Sequence, residues 1–182
     1  MSRINLLLAG LLLVAALPAT LDAQDDSPDA EAMIKDALSA TTAEMAKGAT
    51  VVDWESNVLK EGDNGWTCFP TTPQGSGPMC VDEPWLAWAD GWMNKKEVNI
   101  TRVGLAYMLA GSPDSPGGSN TDPYATEAAP DNEWLPPGGP HLMLVVPDPS
   151  MLEGIPTYPV DGGPWVMWKD TPYVHVMVPV ED

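Results

Sequence analysis

The only two histidines of the chain each open a His-x-Met triplet, His141-Leu142-Met143 and His175-Val176-Met177. Both triplets fall in apolar runs that read as β-strand. A strand alternates its side chains, so the His and Met of each triplet share a face. If the two strands are neighbours, two imidazoles and two thioethers converge, with Met167 and Trp168 close by. Such a soft-to-borderline set suits copper as Cu(I). The competing reading is core packing, because Met fills apolar interiors well and a strand His commonly bonds a neighbouring group.

A second set lies at helical spacing. Trp85, Trp88 and Trp92 occupy i, i+3 and i+7 of one segment and so share a helix face. Exposed indoles would stack on a glycan or an apolar ligand; buried ones would form the core of a small domain. A third set lies in the stretch 111–140, whose 30 residues include seven prolines and five glycines. Asn120, Thr121, Asp122 and Tyr124 form one polar patch there, and Asp131, Asn132, Glu133 and Trp134 another. Scaffold-held loops often carry function, which makes Asp122, Tyr124, Glu133 and Trp134 candidate ligand-binding residues. Glu133 with His141 and His175 would complete a two-His, one-carboxylate metal enzyme. The same acids can instead cap turns and keep the surface soluble.

Other chemistry is excluded more firmly. There is no Gly-x-Ser-x-Gly, His-Glu-x-x-His, phosphate-binding glycine loop or Asp-rich calcium loop. With 26 acidic and 8 basic side chains the formal charge is -18, which repels nucleic acid and anionic membrane surfaces. At 44% hydrophobic residues, the composition still supports a packed core.

The elements that must position these residues follow from the chain's patterning. Residues 1–23 read as a signal peptide: Arg3 precedes an apolar run from Ile4 to Leu17, too short for ~30 Å of bilayer core, and small residues follow at Ala19 and Ala23. Cleavage after Ala23 leaves no stable membrane anchor and a periplasmic or secreted product. In that oxidising compartment the only cysteines, Cys68 and Cys80, form a disulfide. Residues 24–29 are a mobile acidic lead, and 30–182 form a single domain. A helix capped by Ser27 runs to Lys47-Gly48. Segments 50–54 and 57–60 are strand, and Trp66–Phe69 returns as a hairpin after the turn 61–65. A second helix runs from Asp82 to Lys96, and Val98–Leu109 is a strand. His141–Val146 is another strand, and Trp165–Trp168 and Tyr173–Val180 form the last hairpin around Lys169–Pro172. The order lacks βαβ alternation. It predicts an α+β domain: an antiparallel or mixed sheet of about five strands with two helices against it.

Gly65-Trp66-Thr67-Cys68, Pro78-Met79-Cys80 and Trp168-Lys169-Asp170-Thr171-Pro172-Tyr173 resemble parts of uncharacterised exported bacterial proteins over most of the mature chain. The resemblance implies export and no particular activity. The sequence thus favours an exported, non-catalytic domain that binds a small molecule, glycan or protein. Copper binding through the His-x-Met strands and the His141/His175/Glu133 enzyme are the alternatives.

Overall fold

A computed structural model describes residues 28–180. The signal-peptide assignment, the Ser27 cap and most of the acidic lead lie outside the described residues. Three helices are present: α1 (Pro28–Leu38), α2 (Ala43–Gly48) and α3 (Glu83–Met93). The N-terminal strands are β1 (Thr50–Val52), β2 (Val58–Lys60), β3 (Thr67–Phe69) and β4 (Met79–Val81). The others are β5 (Gly104–Met108), β6 (Gly118–Ser119), β7 (Trp134–Leu135), β8 (His141–Val145), β9 (Trp165–Met167) and β10 (His175–Pro179).

The architecture is α+β with a mixed sheet, as the element pattern predicts, but the main sheet has eight strands rather than about five. Its order is β2-β1-β3-β4-β5-β8-β10-β9, with β6 and β7 forming a separate pair. Seven of the eight fall within segments that the patterning already marks as strand; the one it leaves out is β4 in the first half, whose three residues are too short to show a period of two. Two further readings are corrected there. The segment 67–69 does not fold back on 58–60; β3 pairs in parallel with β1. The first helix is also interrupted: α1 ends at Leu38, and the Thr42 side chain accepts from the Met45 amide to start α2 afresh. The α3 boundaries follow their local signals, with the Asp82 carboxylate accepting from the Trp85 amide and Pro84 in the first turn.

Directly paired residues lie on one face of a sheet, so the register sorts the side chains into two sets. Val51, Cys68, Cys80, Tyr107, Leu142, Leu144 and Val176 share the first face. There α1 covers the β1–β4 end with Ala30 and Ala37, and a short 3-10 turn, Pro149–Leu152, brings Leu152 against Val166 and Val176. The second face carries Val81, Ala106, Met108, His141, Met143, His175 and Met177, and α3 packs on it across β5 and β8. Gly104 permits this close approach: a Cβ there would lie 2.8 Å from the Trp85 amide nitrogen and 2.7 Å from Val145. The disulfide joins Cys68 to Cys80, directly opposed on β3 and β4 under α1.

Candidate functional site

The second face is not filled by α3. Between α3, the strands β5, β8, β10 and β9, and the loop around Pro136–Pro140 lies a cleft of about 660 Å³. Indoles and thioethers dominate its walls, and the one ionisable acid among its described lining residues is Asp53. The Asp53 carboxylate already accepts from the amides of Glu55 and Asn57 and from the Asn57 side chain.

Both His-x-Met strands reach this cleft. β8 and β10 are antiparallel neighbours, and Met143 stands directly opposite Met177. Because the strands run in opposite directions, the triplets are head to tail. His141 pairs with Pro179 at one end of the ladder, and His175 sits four residues further along β10. At ~3.3 Å per residue the two backbones are ~13 Å apart along the strand direction. The imidazoles therefore stand at the two ends of a diagonal, with the two thioethers between them. A further methionine lies across from each imidazole: Met108 on β5 opposite His141, and Met167 on β9 opposite His175.

Each imidazole is held in one tautomer. His141 Nδ1 is 2.7 Å from the Gly139 carbonyl, and His175 Nδ1 is 3.0 Å from that of Tyr173. A carbonyl oxygen only accepts, so Nδ1 carries the proton and Nε2 presents its lone pair. Burial pushes His175 down to about 4, with the Tyr173 carbonyl opposing the shift and the charge of His141 adding to it. Burial likewise lowers His141, against the pull of the Gly139 carbonyl. Both rings are thus neutral at pH 7.

The tryptophan stripe resolves into a wall of this site. Trp85 and Trp88 are buried, each 3% exposed, and Trp92 is half-buried. Trp88 stacks on Trp168 at 6.0 Å between centroids, and His175 meets Trp168 edge-on at 4.8 Å and Trp88 at 5.3 Å. Buried rings in such a stack do not form an open platform for sugars. Two features show that this wall is not optimised for stability alone. The Trp88 indole nitrogen is buried without a hydrogen-bond partner among the described residues. Trp168 adopts φ 56°, a left-handed conformation that is strained for a bulky side chain.

The long loop holds the tryptophans in place and does not join the histidines. Trp168 donates its backbone amide to the Asn120 carbonyl and its indole N–H to the Ser119 carbonyl, both at 2.8 Å. The buried Asn120 side chain accepts from the Trp165 indole and donates to Glu133 Oε2 and the Thr157 carbonyl. Glu133 is thereby tied to Asn120 and lies outside the cleft lining. Among the described residues no three of His, Cys, Asp and Glu cluster as a metal site, so the structure does not bring the His141/His175/Glu133 enzyme together. Asp122 accepts from the Tyr124 amide; Tyr124 donates to the Trp92 carbonyl and rests edge-on against Tyr173. Trp134 donates to the Pro116 carbonyl. Sequence reasoning missed Asn120, whose only signal was its place in a polar patch, and the pairing of Met108 and Met167 with the histidines.

No family model, curated protein or solved structure matches the chain. No described helix is long and apolar enough to cross a membrane.

Proposed function

We propose that the chain is an exported, acidic, non-catalytic binding domain whose ligand is an uncharged, mainly apolar small molecule held in the Trp/Met cleft. The carrying observation is the cleft itself: about 660 Å³, walled by indoles and thioethers, with a single described lining carboxylate, already engaged. That volume falls within the roughly 300–1,000 Å³ of small-molecule sites. The apolar run at 4–17 and the Cys68–Cys80 bridge support export. Glu133 is tied to Asn120 outside the cleft lining, and Asp53, the one carboxylate among the described residues that line the cleft, is already engaged by Glu55 and Asn57, which supports binding without turnover.

Displacement of a neutral naphthylamine dye by a panel of apolar compounds tests this reading. The dye is expected to brighten with the wild-type chain, and Trp165→Ala, which removes one wall at a half-buried position, to weaken its binding by roughly tenfold, about 1.4 kcal/mol. Dye binding that ignores Trp165→Ala would overturn the assignment of the cleft. Hydrolysis or oxidation of any panel compound by the purified chain would overturn the non-catalytic part.

A further inference from the structure

The cleft runs across the strands rather than along them. Each of six adjacent strands lends it a floor residue: Phe69 from β3, Met79 from β4, Met108 from β5, Met143 from β8, Met177 from β10 and Met167 from β9. The register keeps all six on one face, since Phe69 opposes Met79, Val81 opposes Ala106, Ala106 opposes Met143, Met143 opposes Met177 and His175 opposes Met167. Neighbouring strands lie ~4.8 Å apart, so the five steps from β3 to β9 span ~24 Å. A space of about 660 Å³ drawn out over that length has a mean cross-section of roughly 27 Å². Carbon chains in contact lie ~4–4.5 Å apart and so occupy roughly 20 Å² each. One extended chain fits, and two side by side do not. The middle lies under α3, whereas the exposed Trp54 stacks on Phe69 at one end, 5.2 Å between centroids, and β9 at the other is the edge of the sheet.

From this shape we infer that the ligand is a neutral single-chain lipid: one alkyl or acyl chain of about 18 carbons, laid extended across the six strands and ending in an uncharged head such as a hydroxyl or an ester. The length follows from bond geometry, because an extended chain advances ~1.25 Å per carbon when bonds of ~1.5 Å zigzag at a near-tetrahedral angle. A compact polycycle of equal volume would leave the ends of such a cleft without contact and forfeit their dispersion energy. The head group follows from charge. No lysine or arginine is among the described residues that line the cleft, and both imidazoles there are neutral, so a carboxylate or phosphate finds no partner inside. The formal charge of -18 opposes the approach of anionic lipids as well. This inference rests on the apolar-ligand reading and names the class of its ligand.

The test is displacement of the naphthylamine dye by 1-monoacylglycerols of ~8 to ~20 carbons, each kept below the concentration at which it aggregates, with native mass spectrometry for stoichiometry. The expected result is one lipid per protein and an affinity that climbs several-fold with each two carbons added, then stops rising near ~18 carbons. Ionised octadecanoate is expected to bind at least roughly tenfold more weakly than the matched monoacylglycerol. Two variants at half-buried positions shorten the cleft from opposite ends. Met79→Trp should close off the stretch over β3 and β4 and lower the preferred length by about eight carbons; Met167→Trp, at the β9 end, should lower it by about four. Circular dichroism reports whether each variant folds, and a shifted preference is a result that general loss of stability does not produce. Equal displacement by every chain length, two lipids per protein, or an unmoved preference in both folded variants would each overturn the inference. So would tighter binding of cholesterol, a compact neutral polycycle, than of the best chain. Those results leave the apolar-ligand reading standing, whereas failure of the wild-type chain to bind the dye or any lipid overturns both.

Discussion

The two faces of the sheet solve the packing problem in different ways. Under α1 the partners are small: Ala30 and Ala37 meet Val51, Leu59 and the half-cystines, all buried and tightly closed. Under α3 the partners are the largest side chains available, yet space is left over. Large flat rings and unbranched thioethers cannot close around one another as alanine and valine do, and the remainder is the cleft. The first face is thus held by close contact and a covalent bond. The second retains an unpaired indole, a strained Trp168 and two buried imidazoles. Stability is concentrated on one side and chemical character on the other.

That contrast can be broken from either side. The largest effect is expected from Cys68→Ala/Cys80→Ala, which frees a loop with a sequence separation of 12 and costs about 3 kcal/mol in chemical denaturation. Dye binding by the molecules that remain folded should be unchanged if the two faces are independent. A comparable loss should come from acid acting on the other face. His175 is held near 4 in the folded chain and returns to an ordinary value when unfolded, so the unfolded chain takes up the proton first. Stability is therefore full above about 6.5 and falls as pH drops toward 4, by on the order of 3 kcal/mol. His175→Leu should flatten that slope, whereas the disulfide variant should keep it. Denaturation midpoints across this pH range provide the measurement. A smaller loss, about 2 kcal/mol, is expected for Asn120→Ala, which strips Trp165 and the Thr157 carbonyl of a buried partner. Its sharper signature is a change in Trp emission and dye affinity.

What could be read from the sequence depended on how local its cause was. Asp82 and Pro84 announce α3 by themselves, and the 165–180 hairpin carries its turn residues beside its strands. The shared face of each His-x-Met triplet follows from strand geometry alone, and the β8–β10 ladder makes the strands neighbours; their antiparallel register, which no triplet can announce, brings the two methionines together and sets the two imidazoles apart. The parallel pairing of β1 with β3 was illegible, because three-residue strands advertise no partner and the choice is made by packing under α1. The break between α1 and α2 was hidden by apolar residues that continue the stripe past Leu38; the Thr42 cap prevails over it. Asp122, Tyr124, Glu133 and Trp134 were conspicuous for their polarity and ring content, but their bonds run to the loop's own backbone and to the back of the tryptophan wall. Composition announces such residues without saying which way they point.

The tip Lys169–Pro172 has a consequence for how this chain can vary. It sets the phase of β10 against its neighbours: a single inserted residue would turn Val176 and Val178 toward the indoles and send the imidazole and thioether to the far side. Two inserted residues would restore the parity. Length changes in that tip should therefore be tolerated in even steps and ruinous in odd ones, whatever amino acids are used to make them.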